Sequence, residues 1–413
     1  MTEKIYYKFI QFALGTYEGK EFLDGSALQG FDWQRFYAFA KKQTLAGIVM
    51  DGISRLPKAV APKQGLLMNW FMMSQNISRQ NMMVNVATAE IYNKVKAAGY
   101  NCCILKGQAN AAMYANPAAR TPGDVDMWVN ASREEIRQLA QTLANEKGRI
   151  DEESYNHIAL TTNAISVELH YTPGFMANFT YNRRLQQWFR ESIDAQCRNM
   201  IALPDEAGEV AAPTADFNAV YQLYHLYHHY FYEGVGLRQV VDYYYVILNF
   251  ELGVLNCRLR DEELKNCELE TQNSKLNNSK SAKPTIQNSK LKTQNSLTRL
   301  GLWHFAGAMM YVLHEVLGLP EEKMIAPMDK KRGEMLLNDI LCGGNFGHHD
   351  ERHAWGRDTY DGNGFKHGAL GHNLLRLHRD LRLLKYYPSE ALSEPIFRLW
   401  HYYWRWKMKK SKP

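Results

Sequence analysis

The amino-acid sequence predicts an α+β fold in which a β-sheet core is flanked by helices, with all-helical regions before and after it. Three observations lead to this prediction. Short apolar runs bounded by turn residues, which indicate strands, cluster between residues 99 and 171. Apolar residues recur at helical spacing through residues 1–98 and again after residue 299. The 413 residues, 46% hydrophobic and 22% charged, suffice for a large core.

The composition permits several kinds of partner. The net charge is +6, from 49 basic and 43 acidic residues, which allows binding of phosphates or nucleic acid without requiring it. The six cysteines include no Cys-x-x-Cys pair, a pattern typical of a reducing compartment. The N-terminus lacks the long apolar segment of a signal peptide, and no run approaches the ~18 apolar residues of a membrane span. We therefore expect a cytoplasmic protein.

One stretch, residues 100–129, organises the rest of the prediction. An apolar run at residues 102–105 indicates a buried strand that stops at Lys106-Gly107. The Ala-rich residues 108–114 favour a helix, and the Arg-Thr-Pro-Gly sequence that follows favours a turn. A second strand is predicted at residues 124–129.

This second strand carries two acidic side chains on one face. Asp124 and Asp126 are two residues apart, and side chains at that spacing point the same way from a strand. Two such carboxylates repel each other unless a cation lies between them, and Mg²⁺ prefers carboxylate oxygens together with substrate phosphates. An isolated Asp-x-Asp is common, so a solvated edge strand with two exposed aspartates is the alternative interpretation.

A β-hairpin is predicted from residues 156–162 and 164–171, after a helix over residues 132–146 that begins with a Ser-x-x-Glu capping box. Its second strand places Glu168 between apolar neighbours, where a lone carboxylate is costly unless paired. His170 shares the face of Glu168. Glu168 is thus either a paired carboxylate or an edge-strand residue facing water. His170 is a candidate hydrogen-bond partner of a phosphate or a carboxylate, or a surface histidine.

The order of these elements resembles the nucleotidyltransferase superfamily with a polymerase-β-like core. The Leu-Lys-Gly start, the Arg before the Asp-x-Asp and the later Glu-x-His are most similar to a branch of uncharacterised bacterial nucleotidyltransferases. The resemblance covers roughly residues 30–250 and implies a nucleotidyltransferase-like mixed β-sheet core. The chain departs from the commonest pattern of the superfamily, which has Gly-Ser where Lys106-Gly107 stands here.

The resemblance implies a reaction and the acids that serve it. A metal-dependent nucleotidyltransferase moves an NMP group from an NTP to a hydroxyl-bearing acceptor. Asp124, Asp126 and Glu168 would be catalytic and would hold Mg²⁺ or Mn²⁺ at the attacking and leaving oxygens. Three converging carboxylates should repel one another, so Asp126→Asn is expected to maintain or raise the melting temperature without metal. The acceptor, the choice of NTP and the oligomeric state are not readable from the residues.

The nucleotide would be held by residues around the first turn. Lys106 and the backbone of Gly107 would bind the β- and γ-phosphates at the start of a helix, where N–H groups converge. Arg120 would neutralise charge on the triphosphate. His170 and Arg238 are candidates for outer contacts, although Arg238 lies one helical turn from Asp242 and an internal ion pair is the alternative.

The chain divides into five regions: an N-terminal helical region (1–98), a nucleotidyltransferase-like catalytic core (99–212), a helical region (213–256), a low-complexity insert (257–298) and a C-terminal helical region (299–413). The insert is rich in Asn, Ser, Lys and Gln and has no aromatic residues. Such a segment buries too little apolar surface to offset its chain entropy. We expect the insert to be disordered, and deletion of roughly residues 260–296 to leave the fold intact.

Two features of the helical regions leave alternatives open. His225 and His229 are four residues apart, as metal ligands on one helix face are, but no acid lies between them. Packing among the neighbouring tyrosines is the favoured interpretation. Residues 396–413 mix aromatics with six basic side chains, which suits packing on preceding helices, peripheral membrane contact or nucleic acid. Two alternative functions remain. One is a non-catalytic nucleotide-binding regulatory protein, and the other is a membrane-surface accessory protein of a glycan pathway.

Overall fold

The computed structural model describes residues 2–256, 278–347, 359–360, 365–366 and 369–410. Its helices are α1 Thr2–Leu14, α2 Lys20–Leu23, α3 Trp33–Lys42, α4 Ala46–Ser54, α5 Gln64–Ala97, α6 Gln108–Ala111, α7 Arg133–Lys147, α8 Phe179–Arg198, α9 Ala215–Tyr232, α10 Leu237–Leu248, α11 Asn278–Arg299, α12 Trp303–Leu317, α13 Lys330–Gly343, α14 Ala369–Leu383 and α15 Pro388–Lys410. Its strands are β1 Cys102–Ile104, β2 Val125–Val129, β3 Gly148–Glu153, β4 His157–Thr162, β5 Ile165–His170, β6 Met200–Ala202, β7 Glu209–Ala211, β8 Thr359–Tyr360 and β9 Phe365–Lys366.

Strands β1 to β5 form one mixed sheet in the order β1-β2-β5-β4-β3. Strands β2 and β5 run parallel, whereas the other neighbouring pairs run antiparallel. Every residue of β1 and β2 is buried, and helices α5, α7 and α8 pack against the sheet. The predicted α+β fold, with a mixed sheet and flanking helices, is confirmed.

The predicted β4–β5 hairpin closes on a two-residue turn. Asn163 and Ala164 have positive φ angles of 50° and 63°, the left-handed conformation that type I′ hairpin turns require. The turn fixes the register of the two strands, because Thr162 pairs with Ile165 across it. The same register sets every later pair along the hairpin, including His157 with His170 at its far end.

Helices precede the sheet, as the apolar spacing predicts. The longest, α5, has 34 residues, and its buried Trp70 donates from Nε1 to the Ala46 carbonyl at 3.0 Å. Helix α7 begins with the predicted capping box between Ser132 and Glu135. The C-terminal helices continue the same hydrophobic core, so α12 is buried along most of its length.

Some elements differ from the prediction. Helix α6 ends at Ala111 rather than near residue 114, because the Met113 and Tyr114 amides bond to carbonyls three residues back in a tighter turn. Strand β3 was not predicted, since its residues are mostly exposed and polar. Its order comes from backbone pairing with β4. The small β6–β7 sheet was not predicted either.

The expectation for the low-complexity insert is wrong over residues 278–298, which belong to α11. Residues 257–277 lie outside the described residues. Within α11, Thr293 and Leu297 are buried, and Gln294 Nε2 donates to the Ile325 carbonyl at 2.9 Å. Most helices in proteins are stabilised by tertiary packing more than by intrinsic propensity, and composition does not reveal that packing.

Candidate active site

Two parallel strands bring the predicted acids to one wall of a cleft. In the β2–β5 register Asp126 lies opposite Glu168, and Asp124 comes two residues earlier, just before β2. Asp126 is buried, Glu168 is half-buried and Asp124 is exposed. All three line a cleft of ≈ 690 Å³, a volume typical of small-molecule sites. We call this side of the cleft the acidic wall.

Two protein cations lie against the acidic wall. Lys106 Nζ is 3.1 Å from Asp126 Oδ1. His170 Nε2 is 3.3 Å from the same oxygen and 3.1 Å from Glu168 Oε2. The expected repulsion among the acids is therefore offset within the protein itself. We therefore expect Asp126→Asn to lower the melting temperature of the metal-free protein, instead of maintaining or raising it, because the substitution would remove a partner of both Lys106 and His170.

The pKa values on the acidic wall follow from these contacts. Burial alone would lower the pKa of His170, but its hydrogen bonds to Asp126 and Glu168 raise it to about 8. Burial alone would raise the pKa of Glu168, but the hydrogen bond and charge of His170 hold it well below its usual range. Asp124 is exposed in area, yet the cleft around it desolvates the carboxylate and raises its pKa, and the charges of Asp126 and Glu168 add to the rise.

A second histidine on this wall, His157, escaped the sequence analysis. It pairs directly with His170 across β4 and β5, and its Nε2 lies 3.6 Å from Glu168 Oε1. Burial, and then the charge of His170, lower the pKa of His157 to about 4, so the ring is neutral at neutral pH. The signal was present in the sequence, since a two-residue turn after residue 162 places residue 157 opposite residue 170.

The opposite side of the cleft is formed by α9. His225 Nε2 is 2.8 Å from Lys106 Nζ and 2.9 Å from His229 Nε2. His229 Nδ1 is in turn 2.8 Å from Glu233 Oε2. Polar contacts thus run from Asp126 through Lys106 to the cleft rim. The favoured interpretation, packing among the neighbouring tyrosines, agrees with the stacking of His225 on Tyr221. Both histidines also line the cleft, as their four-residue spacing on one helix face allows.

The guanidinium of Arg120 is paired within the protein and is not free to bind a ligand in the cleft. It is buried, and its Nε and Nη2 donate to Asp242 Oδ1 and Oδ2 at 2.7 and 2.9 Å. The predicted pair between Arg238 and Asp242 is looser, at 3.7 Å, because Arg120 already occupies the carboxylate. Arg238 Nη1 also lies 3.5 Å from the Thr121 carbonyl. Of these two arginines, Arg238 is therefore the one less tightly engaged within the protein.

Gly107 turns the chain from β1 into α6. Its φ of 67° lies in the left-handed region, and a Cβ there would come within 3.1 Å of the Asp124 carbonyl oxygen. Glycine is favoured at such a position because it has no Cβ to strain. The following helix has only four residues, so its dipole contributes less to anion binding than the longer predicted helix would.

The mixed sheet, the acidic wall and the Lys-Gly turn define a nucleotidyltransferase-like α+β protein. A family model described as "Uncharacterised nucleotidyltransferase" matches residues 29–275, more than half of the chain, and the protein belongs to that family. No curated protein and no solved structure matches the chain. Among the described residues, no helix combines the length and apolar character needed to cross a membrane.

Proposed function

We propose that this protein is a metal-dependent nucleotidyltransferase that moves an NMP group from an NTP to a hydroxyl-bearing acceptor. One observation carries the proposal: Asp126 and Glu168 stand side by side on parallel strands and face the same cleft as Lys106 and Gly107. This combination of adjacent acids, a lysine and a glycine turn suits the binding of a metal–triphosphate complex. Family membership supports nucleotidyl transfer as the general reaction.

The acidic wall suits a divalent cation. Asp124, Asp126 and Glu168 supply carboxylate oxygens, which Mg²⁺ or Mn²⁺ takes together with phosphate oxygens. The Lys106 ammonium, 3.1 Å from Asp126 Oδ1, shows that this oxygen attracts positive charge. A bound metal ion would supply charge neutralisation at the phosphoryl group being transferred.

The other groups in the cleft would hold the triphosphate. Lys106 has a flexible stem and a partly exposed side chain, so its ammonium can exchange Asp126 for a phosphate oxygen. Gly107 lets phosphates approach the backbone closely. Arg238 replaces Arg120 in this proposal as the second cation, because Arg120 is committed to Asp242. His170 would keep Asp126 and Glu168 in place through its two hydrogen bonds.

The test compares the parent protein with Asp126→Asn. Purified protein is incubated with mixed NTPs, Mg²⁺ or Mn²⁺ and cell extract, and NMP adducts are sought by mass spectrometry. In parallel, melting temperatures are measured with and without Mg²⁺ plus NTP. We expect the substitution to abolish adduct formation and most of the ligand-induced stabilisation, since ligand that binds the folded state raises its stability. Asp194→Asn, an exposed position on α8, is the matched control.

Adduct formation by Asp126→Asn at the parental rate would contradict the proposal. A parent protein that is stabilised by NTP but transfers no NMP to any acceptor would favour the alternative of a nucleotide-binding regulatory protein.

A second candidate function, contact with a membrane surface, has its own observation. One face of α15 is packed, with Phe397 buried against the ring of Phe175. The opposite face exposes a stripe at helical spacing: Leu392, Ile396, Leu399, Tyr403 and Trp406 are 48–76% exposed. Basic residues accompany this stripe towards the C-terminus. Aromatic and aliphatic side chains flanked by basic ones suit an anionic bilayer surface, as an accessory role in a glycan pathway would require.

Flotation with vesicles tests this contact. The full chain should float with vesicles containing phosphatidylserine and much less with phosphatidylcholine alone, and Leu399→Glu with Tyr403→Glu should abolish flotation. These exposed positions are preferable to truncation at residue 396, which would also remove the buried Phe397. Leu291→Glu, exposed on α11, is the control. Flotation of the double variant at the parental level would count against a membrane role for α15.

A further inference from the structure

We propose that His157, Glu168 and His170 form a binding site for one divalent transition-metal ion of the zinc type. In the described part of the chain, these three residues are the set of metal-ligating side chains whose donor atoms all lie within 4.8 Å of one another. We call this set the histidine site. It adjoins the acidic wall and shares Glu168 with it, but it stands on geometry alone and does not require that the protein transfer nucleotides.

The spacing of the donor atoms matches one small ion. Zinc–nitrogen bonds of about 2.0–2.1 Å in tetrahedral geometry place neighbouring donors about 3.3 Å apart. His170 Nε2 and Glu168 Oε2 are 3.1 Å apart, and His157 Nε2 and Glu168 Oε1 are 3.6 Å apart. Both separations lie within a few tenths of an ångström of the required value. These two distances run to different oxygens of Glu168. One donor atom from each of the three residues lies within 4.8 Å of the other two, so side-chain rotations would have to draw the donors in to about 3.3 Å around one ion.

The backbone holds these donors in place. His157 and His170 are a directly opposed pair of the β4–β5 hairpin, and their ring centroids lie 4.9 Å apart. Glu168 is two residues before His170 and projects from the same face of β5. Side chains on paired strands are better fixed than side chains on loops. The fourth ligand position would be left to water or a substrate group, as in catalytic zinc sites.

The donor chemistry selects the class of metal. Once the metal displaces the proton of His170, two imidazole nitrogens and one carboxylate suit Zn²⁺, Co²⁺, Mn²⁺ or Fe²⁺, whereas Mg²⁺ prefers an all-oxygen set. The cleft thus presents two kinds of donor set that share Glu168: the carboxylates of Asp124, Asp126 and Glu168, and the two imidazoles together with Glu168. If the two histidines only form hydrogen bonds to the carboxylates, the site should not prefer transition metals over Mg²⁺.

Cobalt is the probe that tests this proposal. The full chain is stripped with a chelator and titrated with Co²⁺, and the visible ligand-field absorption of the bound ion is recorded. We expect a nitrogen-containing site to fill at one ion per chain and to resist displacement by excess Mg²⁺. His157→Gln and His170→Gln should each weaken Co²⁺ binding by about tenfold or more. His304→Gln, exposed on α12, is the matched control and should bind like the parent.

Other outcomes would overturn the proposal. Displacement of Co²⁺ by an equal concentration of Mg²⁺ would contradict it. Loss of Co²⁺ binding in His225→Gln but not in His157→Gln would also contradict it. If a variant fails to fold, X-ray absorption of the Co²⁺-loaded parent decides, because two imidazole ligands are expected and none or one would refute the site. Failure of NMP transfer with intact Co²⁺ binding would refute only the proposed function, so the two proposals fail separately.

Discussion

At the scale of single residues, Lys106 connects the acidic wall to the histidines of α9. Burial, and then the charge of Lys106, hold the pKa of His225 well below its usual range, so its ring is neutral and Nε2 can accept. Lys106 therefore has two acceptors, Asp126 and His225, at 3.1 and 2.8 Å. An ammonium has three N–H donors, so a third remains for a phosphate oxygen even before the contact with Asp126 is released.

Substitution of Lys106 tests this placement. Lys106→Ala should weaken NTP binding by about ten- to a hundredfold, because a hydrogen bond to a charged group contributes roughly 1.5–3 kcal/mol. The free energy of unfolding should fall by only about 1 kcal/mol, because His170 still neutralises Asp126. Isothermal titration with Mg²⁺–ATP or Mg²⁺–GTP measures the affinity, and urea unfolding measures the free energy of unfolding. Lys58→Ala, at an exposed position, is the control. Unchanged affinity for both nucleotides would show that Lys106 does not bind phosphate.

The residues found from the sequence and those missed differ in the distance of their partners along the chain. The structure brings Asp124, Asp126, Glu168 and His170 to one cleft, and strand alternation predicts their common direction because it fixes the face of a side chain from its immediate neighbours. The ion pair of Arg120 was not predicted, because its partner Asp242 is 122 residues away. No local pattern reports which arginine such a carboxylate binds.

At the scale of elements, the same distinction holds. Strand β2 and the hairpin were predicted because their apolar residues and turn chemistry are local signals. Strand β3 and helix α11 were missed because neighbouring elements order them. Strand β3 gains backbone hydrogen bonds from β4, and α11 packs on α9 and α12. A polar composition is thus compatible with order when even a few side chains, such as Leu297, are buried.

Leu297→Ala should lower the free energy of unfolding by about 2–4 kcal/mol, because it empties a fully buried site. Leu291→Ala on the same helix is the matched control, since Leu291 is 56% exposed and surface substitutions usually change stability by under about 0.5 kcal/mol. Urea unfolding at constant pH measures both variants. Equal and small effects of the two substitutions would show that α11 does not contribute to the core, which would agree with the sequence-based expectation of a disordered insert.

At the scale of the whole molecule, the C-terminal helix α15 packs onto the region that contains the β1–β5 sheet. Glu390 in the first turn of α15 is buried and accepts hydrogen bonds from the Ala177 and Asn178 amides at 2.8 and 3.4 Å. Farther along α15, Trp404 packs edge-on against the ring of Tyr155. The region after residue 299 therefore shares its stability with the sheet instead of forming a separate unit. The helical periodicity predicted α15, but not the surface on which it packs.

The junction at Glu390 makes stability depend on pH. Burial raises the pKa of Glu390 to about 7, although the two amide hydrogen bonds lower it in part. Below the unfolded-state pKa of about 4.3, both folded and unfolded states hold the proton. Between that value and pH 7 the unfolded state ionises while the folded state retains its proton, so the free energy of unfolding falls as pH rises. The loss is complete above pH 7 and amounts to about 4 kcal/mol.

Glu390→Gln removes this ionisation while maintaining the shape of the side chain. We therefore expect the variant to lose less stability than the parent between pH 5 and pH 8, by about 3 kcal/mol in urea unfolding. At pH 5 the two proteins should differ by only about 1 kcal/mol, because the folded parent still holds its proton and only ionisation of the unfolded state distinguishes it from the amide variant. The exposed Glu322→Gln, on the turn after α12, should retain the parental pH dependence. A Glu390→Gln variant with the parental slope would show that Glu390 is ionised in the folded protein at neutral pH, with the Ala177 and Asn178 amides outweighing its burial.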